Sequence, residues 1–192
     1  MKCVKCGREH NGYRFRVLQV QTLHVRDVNR EKRVQALGDF EEYTVCPGCA
    51  EEKYRKILDT TGTVRKNCLI YGGLMALGIL LCLLFWQGEG VFRLLGLGLI
   101  AGGGLCLGGN IRNAAARKRE LLSLGAEEAL RRCAWECMLD GAPKKNDIND
   151  ITYIPIDETT LSRKNGDLMI LYDLLPEIAV EAHKRIHGQA ES

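Results

Sequence analysis

The sequence predicts an α+β membrane protein with a small amino-terminal β-hairpin zinc module, a transmembrane helical hairpin and a mainly helical carboxyl-terminal cytoplasmic region. Three observations carry this expectation. Cys3-Val-Lys-Cys6 and Cys46-Pro-Gly-Cys49 are paired thiols. Residues 67–111 contain only two charged side chains, Glu89 and Arg93. Beyond them, charge returns together with helix-spaced apolar residues. The boundaries fall at 1–66, 67–111 and 112–192.

Each Cys-x-x-Cys pair can turn both sulfurs toward one ion, and two pairs supply a closed set of four ligands: Cys3, Cys6, Cys46 and Cys49. Zinc is the default ion for four thiolates. Gly7 and Gly48 are expected to permit the backbone angles of each turn. His10 and His24 are alternative ligands that four thiols make unnecessary. A redox dithiol needs a strand-to-helix placement that neither pair has. Between the pairs, residues 13–17 alternate and residues 18–22 continue on the opposite parity, which predicts a bulge near Val17. Residues 27–30 read as a turn, residues 33–37 as a returning strand, and residues 50–58 as a helix with acids early and bases late.

Knuckle, hairpin, knuckle and helix in that order resemble a treble-clef or zinc-ribbon module over residues 1–60. The resemblance rests on the two cysteine pairs, Gly7 and the helix after Cys49. It implies ligation of one structural zinc ion and nothing about activity.

Residues 68–86 hold no charge and as a helix would span about 28 Å, one hydrocarbon core. Residues 91–109 form a second run, with Arg93 close enough to its start to reach the interface. Phe85, Trp86 and Phe92 suit an aromatic belt. Residues 87–90 are a short link. Gly98-x-x-x-Gly102, Gly104-x-x-x-Gly108 and Gly72-x-x-x-Ala76 predict close helix packing, within the hairpin or between copies. Lys53, Arg55, Lys56, Arg65 and Lys66 precede the first span, and Arg112, Arg117, Lys118 and Arg119 follow the second. By the positive-inside rule both termini are cytoplasmic, in a cell or inner membrane.

Residues 112–139 predict one helix, or two broken at Gly125, with Leu122, Ala126, Leu130, Cys133 and Cys137 on one face. Residues 152–156 are extended, and Pro155 favours an edge position. Asp157 or Thr159 caps a short helix ending at Asn165-Gly166, and one further helix is interrupted at Pro176. Cys133 and Cys137 on one helix, with His183 and His187 on another, are weak candidates for a second metal site.

Nine cysteines without an amino-terminal apolar signal argue for free thiols in a reducing compartment. Among sequence motifs there is no His-Glu-x-x-His, phosphate-binding glycine loop or paired nucleophile and base, so the expected role is non-enzymatic. The leading expectation is an adaptor or scaffold for a protein partner at the cytoplasmic membrane face, with the lipid bilayer and self-association through glycine faces as further contacts. The alternative is a membrane-tethered nucleic-acid-binding zinc protein. It draws on the fourteen basic and nine acidic residues of segment 1–66 and on a strip of Arg14, Arg16, His24 and Arg26. An oligomeric pore is a weaker third, because the spans hold almost nothing polar.

Overall fold

The computed structural model describes residues 1–27, 30–85, 90–146 and 148–190. The expected turn at 27–30 and link at 87–90 fall largely outside these residues, as does Trp86. The chain forms two compact units. One joins Met1–Glu51 to Leu130–Ser192, and the other is Glu52–Ala129.

In the first unit, strands β1 (Tyr13–Asp27) and β2 (Arg30–Val45) form a long antiparallel hairpin. β3 (Asp150–Pro155) adds to the other side of β1, opposite Val17 to Thr22, giving the order β2-β1-β3. Pro155 thus lies at the end of an edge strand, where its missing N–H costs no ladder bond. The carboxyl-terminal region is therefore built into the amino-terminal sheet.

Both faces of the sheet are covered, which explains the change of parity along β1. Phe15, Val17, Val45 and Tyr153 face one apolar layer, completed by Ala134, Cys137 and Met138 of α4 (Ala126–Gly141). Leu18, Val20 and Ile154 face a second layer, formed with Leu168 of α6 (Asn165–Leu171) and Ala179, Ala182 and Ile186 of α7 (Pro176–Ala190). Val17 and Leu18 are therefore consecutive strand residues that both meet a core. The register shift itself lies between Leu18 and Val20, one step beyond the expected place.

The helical segments refine the expected boundaries. Asp157 caps the one-turn α5 (Glu158–Leu161) by accepting the Thr160 N–H at 2.7 Å. Asn165 and Gly166 open α6 instead of ending a helix, and Lys164 N–H donates to Asp167 Oδ2 at 3.2 Å. The last expected helix is two, and Pro176 begins α7, where its absent N–H is harmless. The turn between them contains Asp173 at φ 51°. Buried Gln35 holds that turn, donating to the Asp173 carbonyl at 3.0 Å and accepting the Leu175 N–H at 2.7 Å.

The second unit contains most of α1 (Pro47–Leu58), then α2 (Thr60–Leu84) and α3 (Gly90–Ser123). Asp59 caps α2, accepting the Thr61 N–H at 3.2 Å. At 1.5 Å per residue α2 is about 38 Å long and α3 about 51 Å, so both are long and apolar enough to cross a bilayer. Leu69, Ile70, Leu80, Leu83, Leu94 and Leu105 are among many apolar side chains left exposed along them. A water-soluble protein rarely exposes that much contiguous apolar surface.

α2 and α3 pack closely, but through other glycines than the expected pairs. A Cβ on Gly78 would lie 2.6 Å from the Gly96 carbonyl oxygen, and one on Gly96 would lie 2.7 Å from that of Gly78. A Cβ on Gly103 would meet Met75 Cγ at 2.8 Å. Gly72, Gly98, Gly102, Gly104 and Gly108 have open space where a Cβ would stand. The G-x-x-x-G pairs of α3 therefore lie off the hairpin's internal seam. α3 ends at Ser123 and α4 begins at Ala126, so the break falls at Gly125 as expected. The five-residue apolar face does not continue across it: Leu122 is exposed, whereas Cys133 and Cys137 are buried.

Candidate metal centre

The first knuckle is held at the end of the sheet. Val4 N–H donates to the Thr44 carbonyl at 2.9 Å, and Gly7 N–H closes the turn on the Cys3 carbonyl at 2.8 Å. Gly7 has φ 71°, the left-handed conformation that glycine adopts without Cβ strain. Gly48 lies in the first turn of α1 and needs no such freedom. The second knuckle is instead a helix start: Pro47 opens α1, and Cys49 N–H bonds the Cys46 carbonyl at 3.1 Å.

These turns bring the sulfurs of Cys3, Cys6, Cys46 and Cys49 within 4.8 Å of one another. Cys3 and Cys49 Sγ are 4.0 Å apart, and Cys6 and Cys46 Sγ 3.7 Å. A tetrahedral ion with sulfur bonds of about 2.3 Å requires edges of about 3.8 Å. The cluster can hold one metal ion, and its size is consistent with zinc. Cys3, Cys46 and Cys49 are buried, and Cys6 is exposed at the rim.

The electrostatics of the bare thiols point the same way. Burial pushes the Cys3 thiol up, but the backbone around Cys46, Cys6 and Lys5 hydrogen-bonds its sulfur and outweighs it, leaving Cys3 at about 6. The Cys46 N–H, 3.4 Å from Cys3 Sγ, is one such donor. Burial raises Cys46 and Cys49 above the ordinary thiol value, and the neighbouring thiols raise Cys49 further. One thiolate is stabilised by the protein alone. More than one needs a cation among them, and a coordinating ion deprotonates its thiols outright.

The carboxyl-terminal region supports this cluster from outside. Cys137 Sγ donates to the Cys49 carbonyl at 3.4 Å, and Lys5 Nζ approaches Cys137 Sγ at 3.9 Å. Gly141 lies so close to the first knuckle that a Cβ would stand 2.9 Å from the Val4 carbonyl oxygen. Gly12 is tighter still, its Cβ position being 2.2 Å from the Val45 carbonyl oxygen. Sequence reasoning missed both glycines, because neither adopts an unusual φ. A chain partner distant in sequence decides each.

The second candidate set is not assembled. Among the described residues, the four amino-terminal cysteines are the group whose ligand atoms converge. Cys137 belongs to the knuckle-side layer, whereas α7 packs its Ala182 and Ile186 into the opposite layer. The His183 and His187 rings lie against one another at a tilt of 39°, ring centres 4.2 Å apart. His10 and His24 are outside the ligand group, and His24 Nε2 lies 3.8 Å from Asp150. Arg16 sits over the Phe40 ring at 5.7 Å, so the basic strip on β1 is partly engaged within the protein.

Comparison with protein-family models, curated proteins and solved structures returns no match for this chain.

Proposed function

We propose that this chain is a membrane-anchored zinc protein, held in the bilayer by α2 and α3, whose split first unit engages a protein partner on the cytoplasmic face. The observation that carries the reading is the pairing of β1 with β3, together with the seating of the first knuckle against Gly141. Segments on either side of the apolar hairpin build one sheet, and the later segment packs against the cysteine cluster that the earlier one supplies. A hairpin that crosses the bilayer twice returns its flanks to one side, as this pairing demands.

Zinc is supported by the donor set, four cysteine sulfurs at tetrahedral spacing. The order of knuckle, hairpin, knuckle and helix supports the treble-clef or zinc-ribbon type. With four protein sulfurs on the ion, no position stays open for a substrate, so the centre is structural. The cytoplasmic assignment rests on the basic residues flanking both spans and on nine thiols that a reducing compartment keeps free. The adaptor reading draws on Ile170 and Leu171 of α6, which are exposed on the first unit.

The test is capture from gently solubilised membranes with the full-length chain and with Ile170→Asp/Leu171→Asp. Recovery of one protein by the native chain and its loss with the variant supports an adaptor. Repeated capture without a partner removes that role. Salt-sensitive retention of RNA or DNA would favour the tethered nucleic-acid reading. Digestion of the first unit by protease added outside intact cells would overturn the orientation.

A further inference from the structure

We infer that Arg65, Lys66, Arg112 and Arg119 form a cationic collar at the base of the hairpin that gathers anionic phospholipid headgroups. The inference rests on the membrane-anchored reading and names the lipid class that the anchor selects.

The collar exists only in the folded hairpin, because its members come from helices separated by the whole apolar stretch. The Tyr71 carbonyl oxygen lies 3.2 Å from the Cβ position of Gly103, and Gly78 backs directly on Gly96. The two helices are therefore antiparallel. Arg65, six residues before Tyr71, lies level with Gly109, six residues after Gly103. Arg112 is one turn beyond Gly109, and Arg119 follows seven residues later, on the same side of α3.

All four side chains are exposed, and among the described residues none has an acidic partner. Unlike Lys56, which pairs with Glu52 at 2.5 Å, they keep their charge for an external group. The collar borders directly on exposed Leu69, Ile70 and Ile111. That junction decides the class of ligand. Nucleic acid would satisfy the cations and leave the apolar shaft in water, whereas a lipid leaflet covers both. Arginine matches a phosphodiester through paired N–H donors, and lysine adds a point charge. Each basic residue near an anionic leaflet contributes about 1 kcal/mol before screening.

The test uses the full-length protein in phosphatidylcholine vesicles carrying trace spin-labelled phosphatidylglycerol or spin-labelled phosphatidylcholine. Electron paramagnetic resonance reads the motionally restricted fraction of each label. The expected result is association of phosphatidylglycerol about threefold or more above phosphatidylcholine at low salt. High salt, or the variant Arg65→Gln/Lys66→Gln/Arg112→Gln/Arg119→Gln, should return the ratio toward one. Equal association of the two lipids with the native protein overturns the collar and leaves the anchor standing. A preference that survives in the variant overturns the assignment to these residues. If neither label shows a restricted component, α2 and α3 are not in the bilayer, and the anchor falls with the collar.

Discussion

The two units solve the same problem, how to hold two chain segments together, by opposite means. The hairpin unit uses absence: Gly78, Gly96 and Gly103 remove side chains so that α2 and α3 approach backbone to backbone. The sheet unit uses insertion: buried residues fill both faces, and a four-sulfur cluster ties the end. With the hairpin in lipid, as proposed, the difference would follow from solvent. In lipid the apolar effect offers no gain on helix pairing, so close contact is what remains. In water, burial is favourable at about 25 cal/mol per Å², and an ion held by the four cysteines would add what a thin layer lacks.

The contrast breaks most severely at the metal. Cys46→Ser, or chelation of the native protein, is expected to unfold the knuckle-side layer around Cys3, Val45, Ala134 and Met138. Protection of the α2–α3 amides in detergent should be unchanged. Hydrogen exchange read by peptide checks this, and the second layer around Leu168 and Ile186 should keep partial protection because its core contains no ligand. Loss of hairpin protection would show the units to be one cooperative body.

The pH dependence of metal affinity separates the units next. Cys46 and Cys49 lie above the ordinary thiol value, so each releases a proton when the ion binds. Cys3, at about 6, is already largely ionised at neutral pH and adds little to the slope there. Affinity should therefore fall as pH falls, by at least about a hundredfold per pH unit just below neutrality from the protons of Cys46 and Cys49 alone. Competition with a chromophoric chelator measures it. A flat profile between pH 8 and about 6 would contradict the assignment of these thiols as ligands.

Smaller effects sharpen the comparison within each packing style. Gly96→Leu places a side chain against the Gly78 carbonyl and Cys82, and should cost about 1–3 kcal/mol or more in hairpin stability. Gly98→Leu, which faces open space, should be close to neutral by the same unfolding assay in detergent. In the sheet unit, Gly12→Ala should cost at least as much as Gly96→Leu, because its added carbon would stand 2.2 Å from the Val45 carbonyl oxygen, closer than the 2.7 Å between a Gly96 Cβ and the Gly78 oxygen.

Tyr153→Phe is the mildest change. It deletes an O–H that donates to the Pro143 carbonyl at 2.6 Å, and about 1 kcal/mol of sheet-unit stability should go with it. Denaturant midpoints at constant m-value would show it.

What the sequence revealed depended on how local each cause was. The four thiols announced a metal cluster because ligand chemistry is written in residue type and short spacing. The hairpin helices followed from composition, and Gly125 and Pro176 marked real interruptions. The partnership between β1 and β3 was not readable, because residues 152–156 look extended whichever strand they join. The parity change at Val17 suggested a local irregularity, when the larger cause was a second layer contributed from residue 168 onward. Glycine spacing likewise announced close packing but not its face, which the register between α2 and α3 decides.

The addition of β3 to β1 also sets a timetable. The ribosome makes β1 and the first knuckle, then the whole apolar hairpin, and only afterwards the strand that completes the sheet. At 5–20 residues per second, the wait between Glu51 and Pro155 is on the order of 5 to 20 s. Throughout it the edge of β1 from Val17 to Thr22 stands open to any passing strand. The apolar hairpin is thus complete before the sheet closes, and a nascent chain stalled in the hairpin would display a sticky, half-built sheet.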